Sequence, residues 1–264
     1  MARKILIAGG DSWTDENFTS DYHPKLDTSW PKWPELVGSK LGMEVVNVGK
    51  CGQGNHMIYS SVLDAMQEYD PKDIGYVMLA WSQAQRYDFE SVYKAHNRYR
   101  NMTEYQFTWR NERVKPQGNI LGWIKESLRY FYSIQTICAS QRIPLKQFQM
   151  IQLYSHYFKQ QFGNSGGLPA SQERWGASRW WNHFKFEDRA DFDEAALSVI
   201  LNSPYYKRLS PIDFIGIDHK NKEKPFYVIS HEVDDYKKYR ISEEDAHPNA
   251  EGQKILADYI YENL

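Results

Sequence analysis

Short apolar runs alternating with stretches of helical spacing constrain this chain more than any other feature. Residues 4–8 have the pattern of a buried strand and end in Gly9-Gly10-Asp11-Ser12, a tight turn. Residues 33–41 place Trp33, Leu36, Val37 and Leu41 at helical spacing, with Gly42 where a helix stops. A second strand over 43–48 runs into a glycine-rich loop, Gly49-Lys50-Cys51-Gly52-Gln53-Gly54-Asn55. A helix over 57–69 follows through Ile58, Val62, Ala65, Met66 and Tyr69, and 74–80 is a third strand. Strands separated by single helices predict a parallel sheet covered on both faces.

Residues 120–143 continue with a long amphipathic pattern that Pro144 closes, and 148–154 read as a fourth strand. The last helix, over 248–264, carries Ile255, Leu256, Tyr259 and Ile260 on one face. From 162 to 207 the periodicity fades into Gly, Ser, Asn and aromatic residues, among them Trp175, Trp180, Trp181, Phe184 and Phe186, with a short helix near 194–201. No repeat or low-complexity linker divides the 264 residues. The expectation is one domain, 1–264, whose core is 3–90, 240–264 and part of 118–155, with an aromatic-rich insertion over about 160–207. The fold class expected is α/β: a three-layer α/β/α, flavodoxin-like arrangement with about five parallel strands.

Composition removes several functions. Lys and Arg total 32 and Asp and Glu 34, a net charge of −2, which leaves no basic footprint for nucleic acid or an anionic membrane. No apolar run approaches the roughly 20 residues that cross a bilayer. The opening Met-Ala-Arg-Lys lacks the apolar core and cleavage site of a signal peptide, so the expected location is cytoplasmic. Cys51 and Cys138 make neither a disulfide framework nor zinc spacing. His23, His56, His96, His156, His183, His219 and His231 show no metal-ligand spacing. The glycine-rich loop lacks the Lys-Ser of a P-loop and the Gly-x-Gly-x-x-Gly order of a dinucleotide fold, so no metal or organic cofactor is expected. The 9 Trp, 19 Tyr and 12 Phe imply rings near the surface, where they stack on sugars or pack the insertion onto the sheet.

Two places carry chemistry. Ser12 follows the first strand, and in open α/β sheets the ligand crevice lies beyond the strands' carboxyl ends. A serine there becomes a nucleophile when a base takes its proton. At the other end stands Glu243-Glu244-Asp245-Ala246-His247-Pro248-Asn249, a histidine just after carboxylates and before the last helix. Such a pair can supply base and orienting acid, or the carboxylates can merely favour the positive end of that helix.

Together these residues resemble the SGNH (GDSL-like) hydrolase superfamily. Its Gly-Asp-Ser matches Gly10-Asp11-Ser12, its second block resembles Asn47-Val48-Gly49-Lys50-Cys51-Gly52, and its last resembles Asp245-Ala246-His247-Pro248-Asn249 followed by Gly252. The resemblance covers residues 3–90 and 240–264. It implies a serine esterase with Ser12 as nucleophile, His247 as base, and an oxyanion hole of the Ser12 and Gly52 amides. The family's substrates are lipids, acetylated sugars and small esters. The surface aromatics tilt the expectation towards O-acetyl groups on a carbohydrate. O-acyl transfer to a sugar hydroxyl and weakly catalytic glycan binding are the alternatives.

Two departures matter. Where the family's third block carries an oxyanion-binding asparagine, this chain has Ala80-Trp81-Ser82-Gln83, so Ser82 takes that position with Gln83 as an alternative donor. Trp81-Ser82 with Arg86 is similar to a variant in phage-associated members, which would make a virion setting relevant. Arg86 then either orders the loop or binds an anionic substrate group. The family's acid stands three residues before the histidine, at Glu244, whereas the aspartate is two before, at Asp245; the shorter side chain is favoured and both stay open. Asp11, Trp13, Asn55 and Trp81 complete the candidate substrate contacts, Asn55 having helix capping as its other reading.

Overall fold

All five residues of β1 (Ile5–Gly9) are buried, the unbroken apolar run a strand needs when helices cover both faces. β2 (Glu44–Asn47) pairs with one edge of β1 and β3 (Ile74–Trp81) with the other. β4 (Leu145–Gln149) lies beyond β3, and the two-residue β5 (Phe214–Ile215) ends the row. All four pairings are parallel and the order is β2-β1-β3-β4-β5, the flavodoxin-like order expected. This computed structural model describes residues 3–84, 86, 88, 120–154 and 189–264.

α1 (Trp33–Leu41) and α5 (Ala250–Glu262) cover one face of the sheet. There Leu6, Ala8, Met78 and Phe148 meet Trp33, Val37, Leu256 and Ile260. α2 (Asn55–Gln67), α3 (Ile120–Gln141) and α4 (Arg189–Asn202) cover the other, where Ile5, Ile7, Val77 and Leu79 meet Ile58, Val62, Leu128, Phe131 and Ile200. Successive β1 residues thus serve opposite cores, as the strand's period of two dictates.

Three elements differ from the sequence pattern. β4 lies at Leu145–Gln149 instead of 148–154 because three of its five buried residues are polar, which hid the strand. Each finds partners: Lys146 Nζ donates to the Ile212 and Asn263 carbonyls, Gln147 Oε1 accepts from Trp81 Nε1, and Gln149 Nε2 donates to the Ser82 carbonyl. β5 was too short to show a pattern. α2 begins two residues early because its cap is remote: Asp88 accepts from the Gly54 and Met57 amides, each at 2.9 Å. The expected helix near 194–201 lies within α4, whereas the aromatic cluster Trp175–Phe186 is outside the described residues.

The chain leaves β1 for β2 on one side and then for β3 on the other. Loops leaving the carboxyl ends of such strands diverge, opening a crevice where ligands bind in this architecture. Ser12, two residues after Gly10, sits at its mouth.

Candidate active site

The turn after β1 is built by Asp11. Its carbonyl accepts from the Thr14 and Asp15 amides and its Oδ1 from the Trp13 amide, winding residues 11–15 into one tight turn. Gly10 is needed because a Cβ there would come within 2.1 Å of Thr14 Oγ1. Ser12 is buried at the head of this turn, and its own amide has no partner among the described residues.

His247 arrives from the opposite end of the chain. Its Nε2 is 2.8 Å from Ser12 Oγ and its Nδ1 2.6 Å from Asp245 Oδ1. A carboxylate can only accept, so the Nδ1 proton points at Asp245 and Nε2 is left as the acceptor facing the serine. Asn249, accepting from the Glu251 and Gly252 amides, caps α5, so Asp245 is not used for capping. Burial works against the Asp245 charge, but hydrogen bonds from His247 and Ser20 and the attraction of the imidazole outweigh it and hold the carboxyl below its ordinary range. Glu244 is exposed, with Ser242 as its partner. Of the two open acids, the structure brings Asp245 to the imidazole.

The loop after β2 faces the same turn. The amides of Gly49, Lys50, Cys51, Gln53 and Gly54 all donate, to Asn47 Oδ1, the Gly10 carbonyl, Asp15 Oδ2, the Lys50 carbonyl and Asp88 Oδ1. The Gly52 amide, at a residue with φ of 85° that favours glycine, has no partner among the described residues. Buried orphaned amides are rare, and two at one crevice form a ready pair of donors for a developing oxyanion.

Several candidates are placed otherwise than expected. Ser82 is fully buried and its hydroxyl donates to Asp11 Oδ2 at 2.8 Å, so it is spent on the scaffold and not free for an oxyanion. Gln83, half-buried, has no side-chain partner among the described residues. Trp81 is a core residue packed on Phe131 with its indole N–H on Gln147, far from the role of a substrate contact. Asn55 neither points into the crevice nor caps its helix. Its Oδ1 accepts from the Ser82 amide, and its Nδ2 donates to the Ser82 carbonyl and Ser127 Oγ, clamping α2 to β3 and α3. Asp11 is buried beneath the turn, and Arg86 pairs with it at 2.9 Å, so Arg86 orders the loop. Trp13 is buried beside the His247 ring at 6.3 Å, with the Arg240 guanidinium over its face at 5.7 Å.

Other contributors escaped the sequence. Ser20 Oγ donates to Asp245 Oδ2, and the Phe18 ring lies 4.2 Å from the His247 ring. Gln253 in α5 donates to the Trp13 carbonyl and accepts from the Trp33 amide, tying that helix to the nucleophile turn. No local motif marks these residues, because each is defined by a partner more than 200 positions away in the chain. Cys51 sits in the glycine-rich loop, but burial pushes its thiol up to about 12. Among the described residues no group of three or more His, Cys, Asp or Glu could hold a metal ion, and no helix is long and apolar enough to cross a membrane.

Fold and site together define a flavodoxin-like α/β protein with a Ser–His–Asp hydrogen-bonded chain at the carboxyl edge of its sheet. No family model and no curated protein matches the sequence. Solved structures similar to it include a protein assigned to the G-D-S-L lipolytic family from Desulfitobacterium hafniense DCB-2, with 13% identity, 99% of both chains covered and a TM-score of 0.37. A catalytic mutant of an acetylxylan esterase from Geobacillus stearothermophilus has 12% identity over 98% of this chain and 93% of that one, with a TM-score of 0.41. An α/β hydrolase enzyme from the metagenome of Lake Arreo has 11% identity over 98% and 94%, with a TM-score of 0.44.

Proposed function

We propose that this protein is a serine ester hydrolase of the SGNH type, a single domain over 1–264. The observation that carries this reading is the unbroken hydrogen-bonded chain from Ser12 Oγ through His247 to Asp245, two segments 235 residues apart meeting at one crevice. Ser12 Oγ attacks the acyl carbonyl as its proton passes to His247 Nε2. The Ser12 and Gly52 amides hold the oxyanion. The carbon–alkoxy bond then breaks and His247 returns the proton to the departing alcohol. Water attacks the acyl-enzyme by the same route and frees the acid. Asp245 fixes the tautomer and stabilises the imidazolium. The favoured substrate is an O-acetyl ester of a carbohydrate.

The loss of Ser82 as a donor leaves the two backbone amides, and among the described residues no hydrogen bond directs the Gln83 side chain towards them. One missing oxyanion donor typically costs about 10²–10³ in kcat, which favours a slow enzyme and keeps glycan binding with weak turnover as the second reading. A fluorophosphonate probe followed by peptide mass spectrometry separates the two. Covalent modification of the peptide carrying Ser12, abolished in His247→Ala, is the expected result. An unmodified Ser12 under conditions that label other serine hydrolases would overturn the hydrolase reading.

A further inference from the structure

Arg86 touches both loops that bear the two free amides. Its Nη1 donates to Asp11 Oδ2 at 2.9 Å and lies 3.4 Å from the Gln53 carbonyl. Asp11 precedes Ser12 and Gln53 follows Gly52, so one nitrogen bridges the immediate neighbours of both donors. Its mount is rigid. Gly54 packs so closely on the Arg86 backbone that a Cβ there would come within 2.2 Å of the Arg86 carbonyl oxygen. Two residues on, Asp88 is fixed by the Gly54 and Met57 amides. Resting on the reading of Ser12 and Gly52 as oxyanion donors, we propose that Arg86 is a positioning residue that sets the spacing of the oxyanion hole.

Chemistry at this position narrows to arginine. Asp11 is fully buried, and its Oδ2 also accepts from Ser82 Oγ, so the carboxylate needs a positive partner that leaves room for the hydroxyl. A planar guanidinium bridging a carboxylate and a carbonyl holds both at fixed angles, whereas an ammonium on a flexible stem fixes neither. Oxyanion donors work only within about 2.7–3.1 Å of the same oxygen, and a misplacement of about 1 Å can cost about a hundredfold in rate. The third strand's loop therefore supplies a strut where the resemblance implied a donor.

The test uses p-nitrophenyl acetate hydrolysis by Arg86→Ala and Arg86→Lys, with thermal melts and added guanidinium. The expected result is a kcat lowered by about a hundredfold with KM held, and partial recovery of Arg86→Ala by millimolar guanidinium but not by sodium at equal ionic strength. Arg86→Ala leaves the Asp11 charge buried without its counterion, so it risks not folding. The pair Asp11→Asn with Arg86→Gln removes both charges, and Asp11→Asn keeps a carbonyl oxygen for the Trp13 amide. Positioning predicts a native-like Tm with kcat still low. A kcat near wild type in that double variant, or in Arg86→Lys if the double variant does not fold, overturns the proposal. Wild-type protein that neither hydrolyses the ester nor takes up the fluorophosphonate would instead remove the reading on which it rests.

Discussion

Replacing Asp245 by asparagine swaps one buried oxygen for nitrogen and removes one charge beside the imidazole. In the native arrangement Oδ1 accepts from both the His247 amide, at 3.1 Å, and Nδ1, at 2.6 Å, while Oδ2 accepts from Ser20. The backbone N–H cannot turn away, so Asp245→Asn keeps its carbonyl there and turns its amide nitrogen to Ser20, whose hydroxyl can rotate to accept. The tautomer survives and only the charge is lost. Opposite charges about 4 Å apart at an effective dielectric of about 20 interact by roughly 4 kcal/mol, a worth felt when the imidazolium forms. At about 1.4 kcal/mol per decade that predicts a kcat lowered about a thousandfold on p-nitrophenyl acetate, with KM nearly unchanged. Glu244→Gln, at an exposed site with Ser242 as its partner, should stay close to wild type. An Asp245→Asn enzyme within about tenfold of wild type, or an equal loss in Glu244→Gln, would refute this assignment of the acid.

Trp81→Phe strands the Gln147 amide oxygen in the core and should cost about 1–3 kcal/mol in denaturant titrations while leaving KM alone; a raised KM at unchanged stability would return Trp81 to the substrate side. Burial pushes the Asp88 carboxyl up to about 6 from an ordinary 3.8, although two amides that favour the charge oppose it. Between the unfolded value and about 6 the folded protein therefore holds a proton there that the unfolded chain has released. That stability is complete below the unfolded pKa and is lost as pH rises through about 6. The Tm difference between wild type and Asp88→Asn should shrink steadily across that interval, and a flat difference would contradict the assignment. Cys51, pushed up to about 12, should resist iodoacetamide at neutral pH in the folded protein and react once it is denatured. Fast labelling of the native thiol would show that the loop opens.

Much of this architecture is written locally. The run over 4–8 and the helical spacing of 33–41 give β1 and α1 nearly to the residue, because a strand buried on both faces is apolar throughout and a helix buried on one face is apolar at its own period. The crevice and the residues expected there from opposite ends of the chain, Ser12 and His247, follow from order along the sequence. Reading fails where the deciding partner is remote. Lys146, Gln147 and Gln149 look like surface residues until the carbonyls and the Trp81 indole that they bond are known. Ser82 occupies the position of a donor, yet its hydroxyl answers to Asp11 across 71 residues, and no spacing rule reports which way a buried hydroxyl turns. The choice between Asp245 and Glu244 was a matter of side-chain reach, and Ser20 and the loop around it, unmarked in sequence, hold the shorter acid in place.

Turnover at Ser12 is the central claim, and p-nitrophenol release from p-nitrophenyl acetate by wild type and Ser12→Ala, side by side at mildly alkaline pH, tests it most directly. Turnover in the wild type that falls to the uncatalysed background in Ser12→Ala, with an unchanged Tm, is the predicted result. Equal release from both proteins would contradict it, leaving the hydrogen-bonded chain from Ser12 to Asp245 without a reaction.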